Sequence, residues 1–120
     1  MNKYEALHKF YGSFGIPAYE EHSVPGDATF PYISYESVTS VLSEQNIALT
    51  CKLNFKTTSF LKINALTEKI SAALRGGKKL VCDEGYIVLY NGTPFAQNVP
   101  SGDNGVKTKY INITADYITL

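Results

Sequence analysis

Two segments far apart in the chain alternate between apolar and polar residues. The apolar positions of the first segment are Ile47, Leu49, Cys51, Leu53 and Phe55. Those of the second segment are Ile111, Ile113, Ala115 and Tyr117. Because successive side chains of a strand point to opposite faces, each segment presents one apolar face and one mostly polar face. The pattern predicts two strands of one antiparallel sheet with a single buried side.

The buried side of such a sheet needs a cover, and apolar spacing predicts two helices for it. The first helix is marked by residues that recur at intervals of three and four, namely Leu66, Ile70, Ala73 and Leu74. Hydroxyl residues at 57–59 supply its cap, and glycines at 76–77 end it. Residues 2–14 predict a second amphipathic helix that is capped by Asn2.

Shorter strands and loops complete the predicted domain. Strands are predicted near 31–35, 79–82 and 86–94, with Asp83-Glu84-Gly85 as a hairpin turn. Loops are predicted at about 18–30, 36–46 and 96–105, although the pattern at 36–46 also fits an arm. The fold class is α+β: residues 1–120 form a single domain with a mainly antiparallel β-sheet of about four to five strands, and two helices cover one face of that sheet.

The charge balance argues against a nucleic-acid backbone as the main partner. Lys and Arg total 11, Asp and Glu also total 11, and the formal net charge is zero. The one dense basic cluster, Lys78-Lys79, follows a predicted helix whose dipole already favours positive charge there. No apolar run reaches the ~20 residues that span a bilayer, and residues 1–14 do not resemble a signal peptide. We therefore expect a soluble protein that is made in a cytoplasm and has no membrane partner.

Candidate chemistry is sparse along the chain. His8 and His22 are the only imidazoles, and Glu20-Glu21-His22 matches no zinc-binding spacing, so a solvated loop is the favoured interpretation. Cys51 falls on the apolar phase of its strand, which predicts a buried reduced thiol. Neither Cys82 nor any serine lies in a strained-turn motif. The sequence predicts no catalytic residue, no metal site, no cofactor and no enzymatic activity.

Nine tyrosines and no tryptophan are the remaining unusual feature of the composition. Tyrosines on an open sheet can stack nucleic-acid bases, and the candidates are Tyr86, Tyr90, Tyr110 and Tyr117, if they share the uncovered face. This function requires Tyr86, Tyr90 or Tyr110 to lie beside Lys107 and Lys109. Tyrosine is equally favoured where proteins bury surface against other proteins. Since few cations are interleaved with the tyrosines, a protein interface is the preferred interpretation and a nucleic-acid-binding sheet is the alternative.

The order of elements and three stretches of sequence carry a family resemblance. The stretches are Phe30-Pro31-Tyr32-Ile33-Ser34-Tyr35, Tyr90-Asn91-Gly92-Thr93-Pro94-Phe95-Ala96-Gln97 and Lys109-Tyr110-Ile111-Asn112-Ile113. The chain resembles the small tail-completion and head-tail joining proteins of long-tailed bacteriophages and prophages of Gram-positive bacteria. These tail terminator-like proteins are also called minor capsid or minor structural proteins. The likeness covers most of the chain in element order and size.

The resemblance implies a structural protein of the virion neck or tail, made in the bacterial host cytoplasm. Its working form would be a ring, usually of six subunits, that caps the tail tube protein and joins it to the head connector or stopper protein. DNA would only pass through the ring. A stopper or adaptor seated on the portal is a related alternative. The implied contact loops, 36–46 and 96–105, and strand residues next to them give these candidate interface residues: Tyr35, Glu36, Phe95, Gln97, Asn98, Asp103, Asn104, Lys107 and Tyr110.

Overall fold

The computed structural model describes residues 1–36, 44–99 and 105–119. The helices are α1 (Lys3–Tyr11), which a 3-10 turn at Gly12–Phe14 extends, and α2 (Leu61–Leu74). The strands are β1 (Ala18–Glu20), β2 (Tyr32–Tyr35), β3 (Glu44–Lys56), β4 (Lys78–Cys82), β5 (Gly85–Val99) and β6 (Val106–Thr119).

All six strands belong to one sheet, in the order β1-β2-β3-β6-β5-β4. Neighbouring strands are antiparallel except β1 and β2, which are parallel. The α+β class and the mainly antiparallel sheet are confirmed, and the sheet has six strands where about four to five were predicted. The missed strand, β1, lies in the predicted loop 18–30. Three residues are too few to show an alternating pattern, so β1 left no signal in the sequence.

The carboxyl-terminal strand β6 lies in the middle of the sheet. It pairs along its length with β3 and with β5, so that Ile113 lies opposite Leu49 on one side and Asn91 on the other. The carboxyl-terminal strand is therefore not an edge of the sheet. The edge strands of the sheet are β1 and β4 instead.

Strand β5 is longer than its glycine and proline residues predict. The register shifts between Asn91 and Ala96, where the residues between them bulge opposite Asn112 of β6. The Asn112 Nδ2 donates to the carbonyl oxygen of Pro94 at 2.9 Å and holds the bulge. Because a bulge absorbs extra residues without ending a strand, β5 continues to Val99 and takes up the start of the predicted loop 96–105.

Helix α1 begins at the predicted cap. The Asn2 side chain accepts from the Glu5 backbone N–H at 2.9 Å, and the Glu5 carboxylate accepts from the Asn2 N–H at 3.1 Å. These reciprocal bonds form a capping box, which satisfies two backbone donors at the helix start. The helix buries Leu7, Phe10 and Tyr11 against the sheet and contacts both edge strands, so the sheet curls around it.

Helix α2 begins at Leu61, whose backbone N–H donates to the Ser59 hydroxyl at 3.1 Å. The helix buries Ile63, Leu66, Thr67, Ile70 and Leu74, whereas Ala73 is exposed despite its apolar character. Gly76 and Gly77 follow with φ of +78° and +95° and end the helix, as predicted. In the described part of the chain, neither helix has the length and apolar character needed to cross a membrane.

Candidate functional site

The face of the sheet away from the two helices is uncovered in the described residues, and we call it the open face. Opposed residues of paired strands share a face, which places Tyr86, Tyr90 and Tyr110 on the open face. Tyr90 is 40% exposed. Tyr117 points the other way and is buried in the core. By the same register Tyr19 and Tyr32 lie on this face, which therefore carries five partly accessible tyrosines, on β1, β2, β5 and β6.

A polar depression of about 370 Å³ lies on the open face and brings together three predicted interface residues. Its lining comprises Glu21, Glu36, Thr50, Lys52, Gln97, Tyr110 and Asn112. Glu36, Gln97 and Tyr110 had been predicted from separate stretches of the chain. The Lys52 ammonium lies 5.2 Å from the centre of the Tyr110 ring, a cation–π contact that holds both side chains in the depression.

Tyr35 and Phe95 serve the core more than the surface. Tyr35 is 7% exposed, stacks on Tyr11 with ring centres 4.6 Å apart, and its hydroxyl lies 2.7 Å from the His8 Nδ1. Phe95 is half-buried and packs against the core from the β5 bulge. Asn98 is exposed near the end of β5. Asp103 and Asn104 lie outside the described residues.

Lys107 and Lys109 lie on the helix-covered side of the sheet. Lys109 is paired with Leu53 of β3, and its ammonium donates to the Asn64 side-chain oxygen of α2 at 2.6 Å. The Lys107 ammonium lies 5.2 Å from the centre of the Phe60 ring. The nucleic-acid alternative requires these lysines to lie beside the tyrosines of the open face. That prediction is wrong.

Two segments of the long strands have a neighbour on one side only among the described residues. β2 pairs with residues 51–54 of β3, which leaves residues 45–49 without a strand on that side. β4 pairs with residues 85–89 of β5, which leaves residues 91–99 without a strand on theirs. Sequence reasoning missed these free strand edges. The signal that could have revealed them is a difference in strand length. β3 and β5 have 13 and 15 residues, whereas their partners β2 and β4 have four and five.

Glu20, Glu21 and Glu36 surround His22 and form what we call the acidic patch. The Glu20 carboxylate accepts from the His22 backbone N–H at 2.8 Å and lies 2.9 Å from its Nδ1, while the Glu21 carboxylate is 3.9 Å from its Nε2. The His22 side chain is 78% exposed, so the two carboxylates meet it on the surface and not in a cleft. Among the described residues no His, Cys, Asp and Glu group is arranged to hold a metal ion.

The acidic patch predicts a pH dependence for His22. The hydrogen bond to Glu20, followed by the negative charge of Glu20, Glu21 and Glu36, raises the pKa of His22 above its ordinary value of 6.5. A pKa raised by folding stabilises the fold below the unfolded value, and this stabilisation is lost as the pH rises through the folded value. An NMR titration of the imidazole should find a midpoint above 6.5. Glu20→Gln should lower that midpoint more than Glu21→Gln, and equal effects would contradict the assigned cause.

The two cysteines differ in environment. Cys51 is 1% exposed, and burial raises the pKa of its thiol to about 12, which confirms the predicted buried, reduced thiol. Such a thiol is a poor nucleophile at neutral pH. The nearby Tyr11 hydroxyl is buried and has no hydrogen-bond partner among the described residues, and desolvation raises the pKa of Tyr11 well above its ordinary value. Cys82 is half-buried beside Asp83 at the hairpin.

These features describe a surface with a polar centre, flanked by strand edges that can bind a further strand. Comparison of the chain with models of protein families, with curated proteins and with solved structures finds no match.

Proposed function

We propose that this chain is a virion assembly protein of a long-tailed phage or prophage and works at the head-tail junction. It forms a ring, caps the tail tube and presents a surface to the head connector. It acts by binding other proteins and carries no catalytic centre. The proposal rests on the resemblance of two stretches, from Phe30 to Tyr35 and from Tyr90 to Ile113, to the tail-completion and head-tail joining proteins.

The position of the free strand edges is the observation that carries the proposal. Among the residues that the structure describes, no strand pairs with residues 45–49 of β3 on the β2 side of the sheet or with residues 91–99 of β5 on the β4 side. A ring requires two different surfaces on opposite sides of each subunit, so that copies join head to tail. A strand edge supplies backbone hydrogen bonds to a partner by adding or accepting a strand. Both segments also adjoin the predicted contact loops.

The charge distribution of the open face indicates that this face would let DNA pass and would not bind it tightly. The depression combines one cation, Lys52, with the carboxylates Glu21 and Glu36. Affinity for a phosphate backbone grows with the number of cations that neutralise phosphates. With Lys107 and Lys109 turned toward α2, the cation–π pairs on the described part of the open face are Lys52 with Tyr110 and Lys79 with Tyr86. Two separate cations are fewer than a groove that tracks a single strand uses. We therefore prefer the assembly function to the nucleic-acid alternative.

Capping of tail tubes tests the proposed function directly. The purified chain is mixed with polymerising tail tube protein of the same phage or prophage, and tube lengths are measured by electron microscopy. We expect shorter tubes that carry the protein as a cap at one end. Tubes of unchanged length, with no chain sedimenting with them, would contradict the function.

The free edge of β3 offers a matched pair of variants for the same assay. The Thr50 carbonyl accepts from the Glu36 N–H, so the backbone groups of Ala48, two residues earlier, also point toward the β2 side. Ala48→Pro removes an N–H from this free edge and spares the ladder to β6, whereas Ala48→Ser keeps the N–H. If edge pairing builds the cap, the proline variant fails to shorten tubes and the serine variant succeeds. Thermal unfolding of both variants verifies that they remain folded.

A further inference from the structure

A groove of about 350 Å³ runs between α1 and the edge strand β4. Phe10 and Leu80 line it with apolar surface, and three lysines, Lys9, Lys78 and Lys79, also border it. In the described part of the chain these lysines make no ion pair, and the Lys79 ammonium lies 4.4 Å from the centre of the Tyr86 ring. Val81, at the same edge, is 70% exposed. This basic groove is therefore suited to a partner that brings carboxylates together with apolar contact area.

The acidic patch lies on the opposite side of the sheet order, at β1 and the end of β2. The separation of charge is visible in the sequence itself. No Lys or Arg occurs between Lys9 and Lys52, an interval that holds all three patch carboxylates. No Asp or Glu occurs between Glu68 and Asp83, an interval that holds Lys78 and Lys79. One side of the subunit is thus acidic and the other basic, although the net charge is zero.

The acidic patch and the basic groove also lie at similar heights along the strands. Through the pairings of β4 with β5, β5 with β6 and β6 with β3, Lys78 is level with Ile47. Glu36 donates its backbone N–H to Thr50, which is three positions along β3 from Ile47. Three residues of a strand span about 10 Å. Long side chains and a small tilt between two copies can bridge this difference in height. Copies placed side by side would bring opposite charges together.

We infer that the basic groove of one copy binds the acidic patch of the next copy, and that this contact belongs to the head-to-tail interface together with the free strand edges on the same two sides. The inference rests on the proposed ring-forming function in naming a second copy as the occupant. Opposite charges at the two sides steer association and fix its register, while like sides repel and so prevent symmetric pairing. Leu80, which is partly buried, and Val81, which is exposed, supply the apolar area that such a contact buries.

A charge swap tests the interface without any tail component. Lys78→Glu/Lys79→Glu makes the groove acidic, and Glu21→Lys/Glu36→Lys makes the patch basic. Sedimentation velocity at low ionic strength should show oligomers of the unaltered chain and only monomers of each double variant alone. An equimolar mixture of the two variants should associate again, because each then meets its complement. Added salt should weaken association of the unaltered chain at least about tenfold.

Lys62→Glu/Lys69→Glu, on exposed positions of α2, is the matched control and should associate like the unaltered chain. Circular dichroism of all variants verifies the fold. A mixture that stays monomeric while the unaltered chain associates would overturn the interface, as would an unaltered chain that is monomeric at every concentration and binds an acidic protein or nucleic acid through the groove instead. Neither result bears on tube capping, which a monomer recruited to the tube end can also perform.

Discussion

Replacing Gly85 with alanine is expected to prevent stable folding of the whole domain. Gly85 follows the Asp83–Glu84 turn and pairs with Thr119 at the end of β6, with φ at +151°. A Cβ at this position would overlap the carbonyl oxygen of Ile118 and lie 3.0 Å from its carbonyl carbon. The atoms it meets are backbone atoms of a central strand, so they cannot move aside as a side-chain tip can. Circular dichroism and thermal unfolding should show loss of the cooperative transition.

Gly76→Ala is the control. It separates the effect of steric overlap from the conformational cost of replacing a glycine that has a positive φ. Gly76 also has a positive φ, +78°, but no atom lies within 4 Å of the position that a Cβ would take. Only the conformational cost then applies, and we expect a loss of about 1 kcal/mol in the free energy of unfolding. If Gly85→Ala unfolded cooperatively with a similar small loss, the close packing of the hairpin against β6 would be refuted.

The elements that the sequence predicted best are those whose pattern depends only on residues close together in the sequence. The alternation at 47–55 and 111–117 marks β3 and β6, because a strand alternates wherever one of its faces is buried. The capping box at Asn2 and Glu5 is likewise local. The central position of β6 and the parallel pairing of β1 depend on which distant segments meet. No spacing along the chain encodes that choice, and sequence reasoning missed both.

The candidate site shows the same division. Glu36, Gln97 and Tyr110 were chosen from two loops and a strand, and they share one depression because β2, β3, β6 and β5 are neighbours. Lys107 was chosen from the same stretch as Tyr110, yet its side chain lies on the other face. Odd and even positions of β6 face opposite sides, so a candidate set drawn from a stretch of sequence mixes both faces. The free strand edges are visible only when the lengths of paired strands are compared.

Leu53→Ala tests how much the core between the sheet and the helices contributes to stability. We expect this substitution to destabilise the protein strongly. Leu53 is fully buried, at 0% exposure, and pairs with Ile33 of β2 and Lys109 of β6. Deleting its buried atoms removes apolar burial and leaves a cavity, which together cost about 2–5 kcal/mol. For a domain of this size the midpoint of thermal unfolding should fall by roughly 10–20 °C.

The same substitution at Leu61 provides the comparison, since that side chain is 78% exposed at the start of α2. Its removal leaves no cavity, and alanine is a favourable helix residue, so the change in the free energy of unfolding should stay within about 0.5 kcal/mol. A Leu53 variant as stable as the Leu61 variant would contradict the place of Leu53 in the core between the sheet and the helices.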